Sequence, residues 1–143
     1  MLALRLVLLF LLIAANTLLH VPPLLVVALF KAVLPFQRLR VASNPVLTGL
    51  AESWIGVNGW MWDRFTGTRL QLDEGVALQA DGHYLVLANH QSWVDIAVLQ
   101  KVFNRRIPFM RFFLKAELIW VPLLGLAWWA LDFPFMRRYS KQQ

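Results

Sequence analysis

Between Leu6 and Phe30 the chain carries no charged side chain, and its only polar ones are Asn16, Thr17 and His20. About 20 consecutive apolar residues are enough for a helix to cross the hydrocarbon core of a bilayer. A run of this length therefore constrains the architecture more than anything downstream. Val21-Pro22-Pro23 interrupts it. Each proline removes a backbone donor, and the first disfavours helix at the residue before it. Two arrangements follow: a long kinked span, or a re-entrant or hairpin pair with the prolines at the turn. A cleaved signal peptide, with Arg5 as its basic region and Leu6–Ala15 as its apolar region, fits less well. No small-x-small site leads into a polar mature chain, and the sequence stays apolar from Leu24 to Leu34 but for Lys31.

The 143 residues leave room for one domain. Their apolar fraction of 59% exceeds the ~45–50% of soluble domains, and a bilayer is the natural place to bury the excess. The net charge of +6 favours anionic partners. The basic residues flank apolar and Trp-rich stretches rather than polar ones, which points to a lipid surface and away from nucleic acid. Lys31, Arg38 and Arg40 follow the apolar run and only Arg5 precedes it. The positive-inside rule then places everything after residue 38 in the cytoplasm, and the expected location is the cytoplasmic (inner) membrane of the cell. The absence of cysteine excludes disulfides, thiolate zinc sites and a thiol nucleophile.

Asn44-Pro45 reads as a turn. Val46, Leu50, Trp54, Val57, Met61 and Phe65 recur at helical spacing over 46–65. With Trp60 and Trp62 nearby, this helix is suited either to the lipid–water interface or to packing on a domain core. Beyond it the pattern predicts strands at Thr68–Leu72, Tyr84–Ala88 and Phe109–Leu114, and a helix over Ser92–Phe103 faced by Val94, Ala97, Val98 and Leu99. Short helical pieces are expected in Leu118–Leu131, broken by Pro122 and Gly125, and a last strand at Phe133–Met136. The alternation points to an α/β fold with a mainly parallel sheet and flanking helices, behind a transmembrane or re-entrant helical anchor.

The chemistry concentrates in Asn89-His90-Gln91-Ser92-Trp93-Val94-Asp95, between a predicted buried strand and a predicted helix. Side chains at the end of such a strand face the crevice where α/β proteins bind ligands. On one continuous helix, residues five apart lie about 140° round the axis and do not meet. His90 and Asp95 come together only if His90 precedes the helix, with Ser92 at the N-cap and Asp95 at the third helical position. Ser92-x-x-Asp95 also resembles a capping box, so the carboxylate has a structural role available, and the two roles are compatible. Imidazole is matched to accept a proton near neutral pH. A carboxylate on its other nitrogen fixes the tautomer and stabilises the imidazolium. Ser92 as N-cap is poorly placed to be a nucleophile, so the attacking hydroxyl is expected from the substrate.

Asn89-His90-x4-Asp95 resembles the first motif of the lysophosphatidic acid acyltransferases. Lys115-x2-Leu118-x3-Pro122-x2-Gly125 followed by Phe135-x2-Arg138 resembles their second. Phe113–Lys141 is similar to a bacterial branch that also resembles the enzymes reacylating lysophosphatidylinositol and lysocardiolipin. The resemblance covers roughly 60–141 together with the apolar N-terminus. It implies that His90 is the general base for the free hydroxyl of a lysophospholipid and that Asp95 orients it. It implies an acyl thioester donor, acyl-CoA or acyl carrier protein, with no bound cofactor and no metal. Arg138 would contact the acceptor's phosphate, with Arg137 and Lys115 as further candidates. Neither His20 nor His83 has a second ligand-type residue at metal-binding spacing, and both read as structural.

The family's third motif, a Glu-Gly-Thr/Ser-Arg turn, has no counterpart here. Glu74-Gly75 precedes His90 and is followed by Val76 and Ala77. The expectation is therefore an N-terminal portion of the domain, a fragment with little or no activity by itself. It would comprise an anchor over 1–40, an interfacial or packing helix over 41–66, and the acyltransferase portion over 67–143. The competing readings are a non-catalytic anchor or interaction module that retains half the fold, and a plain basic membrane anchor.

Overall fold

The computed structural model describes residues 2–73, 75 and 77–137. Helix α1 runs unbroken from Leu2 to Val33 with Pro22 and Pro23 inside it, and α2 from Gln37 to Thr66 with Pro45 inside it. Of the two arrangements open at the paired prolines, the structure takes the single long helix and not the hairpin, and the expected turn at Asn44-Pro45 is corrected. The reversal falls at 34–36 instead. Each internal proline forfeits one backbone bond, but the helical segments on either side propagate the helix through the gap. Ser43 Oγ donates to the Leu39 carbonyl at 2.7 Å, adding a local bond just before Pro45.

The remaining elements are α3 (Trp93–Phe103), β1 (Leu114–Lys115), a 3₁₀ turn (Ala116–Trp120), α4 (Leu124–Ala130) and β2 (Phe135–Met136). The chain is mostly helical, and its sheet is one short parallel pair, with Leu114 opposite Phe135 and Lys115 opposite Met136. The expected strands at Thr68–Leu72 and Tyr84–Ala88 are absent among the described residues, and that at Phe109–Leu114 is reduced to its last residue and Lys115. A strand is stabilised by its neighbours, and among the described residues Thr68–Leu72 and Tyr84–Ala88 have no strand partner. Leu85 and Leu87, expected inside, are 79% and 84% exposed.

Two compact units are formed, Met1–Leu18 with Glu52–Met110 and Leu19–Ala51 with Arg111–Gln143. In the first, the start of α1 is clasped to the end of α2 by polar side chains. Asn16 is buried, and its Nδ2 donates to the Trp54 carbonyl at 3.1 Å and to Asn58 Oδ1 at 2.8 Å. Trp54 Nε1 donates to Thr17 Oγ1 at 3.1 Å. The other side of α2 receives α3. A Cβ at Gly59 would stand 3.2 Å from Lys101 Cγ, so this glycine permits the approach. Lys101 pairs with Asp63, Arg105 Nε lies 3.5 Å from Glu52 Oε2, and Asn104 Nδ2 donates to the Glu52 carbonyl. The buried stripe of α2 is Leu47, Ala51, Ile55 and Met61. Met61 is buried as expected, whereas Leu47, Ala51 and Ile55 lie one residue round from the expected Val46, Leu50 and Trp54, and Val46 and Val57 face outward.

In the second unit β1 leads through the 3₁₀ turn into α4 and back to β2, over a core of Leu114, Ala127, Ala130, Leu131 and Phe133. Phe112 stacks on Phe133 with ring centroids 6.4 Å apart. Arg111 Nε donates to the Leu131 carbonyl at 2.7 Å. This geometry explains the spacing of the second sequence block. Leu124 N–H donates to the Pro122 carbonyl around Leu123, whose φ is 62°, and Gly125 N–H then donates to Val121 O at 2.8 Å. At Gly125 a Cβ would meet the Ile119 carbonyl oxygen at 2.0 Å, so the turn admits only glycine.

Candidate active site

The site is assembled where an irregular segment enters α3. Ser92 stands at the N-cap with an extended backbone, φ −149° and ψ 165°, so its N–H points back toward the first helical turn. Asp95, at the third position, turns its carboxylate to meet it. Asp95 Oδ2 accepts from the backbone N–H groups of Ser92 and of Gln91, each at 2.7 Å. The carboxylate arm of the capping box foreseen from Ser92-x-x-Asp95 is therefore present.

The same oxygen lies 3.5 Å from His90 Nδ1. This is longer than an ordinary hydrogen bond, so the pair is close without being locked. His90 precedes the helix, as the spacing argument required. Its side chain is 58% exposed, against 33% for Asp95. The anchored group is the carboxylate, and the accessible one is the imidazole. The Ser92 N–H, then the Gln91 N–H, hold the Asp95 carboxyl below the usual carboxylate range. The small burial works the other way, and the charge of His90 and the Ser92 side chain add lesser stabilisation. An imidazole whose Nδ1 faces an ionised carboxylate keeps its lone pair at Nε2, the nitrogen then available to a hydroxyl.

The other candidates fall in the second unit. Lys115 is the last residue of β1, exposed, and in register with Met136. Arg137 follows β2 directly and is also exposed. The parallel pair thus brings Lys115 and Arg137 to neighbouring positions on one short sheet. Arg138 lies outside the described residues. No group of three or more His, Asp or Glu side chains able to hold a metal occurs among the described residues.

Two contributions escaped the sequence. Gln91 acts through its backbone N–H, which any residue but proline would supply, so no side-chain signal marks it. The ion pairs from Asp63 and Glu52 to the far end of α3 join positions 38 and 53 residues apart, and only the packed helices reveal them.

No curated protein and no solved structure matches the chain. A family model described as Acyltransferase matches residues 69–143, just over half of the chain, and this segment contains His90, Asp95 and the whole second block. The chain belongs to the acyltransferase family, in agreement with its resemblance to the lysophosphatidic acid acyltransferases.

Proposed function

We propose that the protein transfers a fatty acyl group from a thioester, on coenzyme A or an acyl carrier protein, to the free hydroxyl of a lysophosphatidate-type acceptor. The observation that carries this reading is an exposed imidazole standing beside an anchored, ionised carboxylate inside the family segment. His90 Nε2 takes the hydroxyl proton as the oxygen attacks the thioester carbonyl. The tetrahedral adduct collapses with cleavage of the C–S bond, and the departing sulfur takes the proton back from the imidazolium. Asp95 keeps the ring in the required tautomer throughout. The ester and the free thiol are the products, and no acyl-enzyme forms.

Lys115, Arg137 and Arg138 are assigned to the acceptor's phosphate, for which guanidinium groups are well suited. Residues 1–40 serve as the membrane anchor, 41–66 as the packing helix and 67–143 as the acyltransferase portion. Catalysis is assigned to the cytoplasmic side of the inner membrane. α1 is the one described helix long and apolar enough to cross a bilayer.

The test is His90→Ala in the protein as made in its native membranes. Acyl transfer to lysophosphatidate should fall by about 10²–10⁴-fold, the usual weight of a general base, with membrane association unchanged. Undiminished transfer would remove His90 from the chemistry and favour a non-catalytic membrane module.

A further inference from the structure

Within the second unit the end of α1 meets the end of α4. Lys31 Nζ lies 3.4 Å from Asp132 Oδ2. Lys31 stands in the last turn of α1, where the apolar run gives way to the basic flank. In lipid a lysine at a helix end keeps its ammonium among the head groups, so this residue marks their level on the anchor. Its partner Asp132 shares that level. The Asp132 N–H donates to the Trp129 carbonyl at 3.1 Å, which puts Trp129 one turn back on α4.

The side chains pointing outward here are large and apolar. Trp129 is 59% exposed, and Leu126, three residues earlier and so on the same face of α4, is exposed as well. The buried positions of α4 are Gly125, Ala127 and Ala130, so this helix packs its small residues inward and presents its bulky ones. The Ile119 carbonyl lies against Gly125, which brings the end of the 3₁₀ turn to the start of α4. Trp120, the next residue, is 85% exposed. An apolar body with one polar N–H suits an indole to the layer between water and hydrocarbon. Charge points to the same occupant. Among the described residues of this unit Lys and Arg outnumber Asp and Glu, and anionic head groups attract such a surplus.

On the reading of α1 as the membrane anchor, on which this inference rests, we propose that Trp120, Leu126 and Trp129 make a second contact with the membrane, seating the outer face of α4 in the lipid–water interface beside the end of α1. One attachment leaves the unit free to turn about α1, and two fix its orientation. Lys115 and Arg137, on the short strands that α4 connects, are then carried at a constant height over the head groups.

The chain has no cysteine, so a single introduced thiol carries a single fluorescent label. Leu126→Cys and Trp129→Cys each replace an exposed side chain and leave the core untouched. Leu29→Cys on the exposed side of α1 and Leu85→Cys in the irregular segment before His90 serve as references. Each labelled protein is reconstituted into vesicles of phosphatidylethanolamine and phosphatidylglycerol. Quenching by a nitroxide-bearing lipid is then compared with quenching by acrylamide in the water. The labels at 126 and 129 should be quenched by the lipid and shielded from acrylamide, as at 29, with the reverse at 85.

Acrylamide quenching at 126 and 129 equal to that at 85 would overturn the proposal, and α1 would still stand as the anchor if 29 remained quenched by lipid. Shielding of 126 and 129 from both quenchers would overturn it as well, since protein would then cover this face. Lipid quenching at 126 and 129 with only acrylamide quenching at 29 would support the contact and instead remove α1 as the anchor.

Discussion

Asp95 has one oxygen in three relationships: two backbone donors at 2.7 Å and the His90 ring at 3.5 Å. The donors come from the chain entering α3, so the carboxylate belongs to the helix start before it belongs to the imidazole. This gives a pH signature. A carboxylate whose folded-state value is depressed adds stability that is fully present above its unfolded value and is lost as pH falls through the folded value. The Asp95 carboxyl is depressed chiefly by the Ser92 and Gln91 N–H groups. Asp95→Asn should therefore be less stable than the parent at neutral pH, with the gap closing only as acidification passes below the ordinary carboxylate range. Urea unfolding of both proteins at a series of pH values measures this, and a gap independent of pH would refute the ionised cap. On the acyl-transfer reading the same variant should also lose about 10²–10⁴-fold in turnover, because an amide cannot stabilise the imidazolium.

At the scale of elements, two glycines give opposite expectations. Gly49 lies inside α2 with nothing within 4 Å of an added Cβ, so Gly49→Ala should stabilise by about 0.5–1 kcal/mol through backbone entropy alone. At Gly125 a Cβ would overlap the Ile119 carbonyl oxygen at 2.0 Å. Gly125→Ala should cost about 1–3 kcal/mol or more of overpacking and disturb the β1–α4–β2 turn. Thermal unfolding of the two variants settles both signs. The contrast also shows what was legible in advance. The His90–Asp95 juxtaposition, the Ser92 cap and the broken helical stretch over Leu118–Leu131 were readable, because capping, spacing and Pro or Gly breaks act locally. The strands at Thr68–Leu72 and Tyr84–Ala88 were misread because an apolar run specifies burial only where a partner strand exists. The turn at Asn44-Pro45 was misread because local proline chemistry was outweighed by the helix on both sides. Periodicity also did not reveal that Leu47, Ala51 and Ile55 rather than Val46 and Val57 are the buried residues of α2, because burial follows packing partners distant in sequence.

At the scale of the molecule, α1 is the element that bears on membrane association. Its 32 residues make a rod of about 48 Å at 1.5 Å per residue, longer than the ~30 Å of a hydrocarbon core. A spanning helix of that length would tilt or project. Only 22% of its most apolar window is buried, and side chains such as Phe10, Leu19 and Leu29 stand open. Water around so much apolar surface is unfavourable by roughly 25 cal/mol per Å², and lipid removes that cost. The polar clasp of Asn16 to Trp54 and Asn58 faces inward, where an amide in an apolar setting must be satisfied. If lipid covers the open side, Leu19→Arg should weaken membrane retention without unfolding the chain, because Leu19 is exposed. A basic residue at the centre of a spanning helix costs about 2.5–3.5 kcal/mol on the insertion scale. Val21→Arg, at a buried position, should instead impair folding itself. Carbonate extraction with protease sensitivity on the same membranes separates the outcomes. Release of an intact Leu19→Arg chain supports lipid contact along α1. Retention equal to the parent would mean that this face of α1 meets protein, and would move the anchor elsewhere.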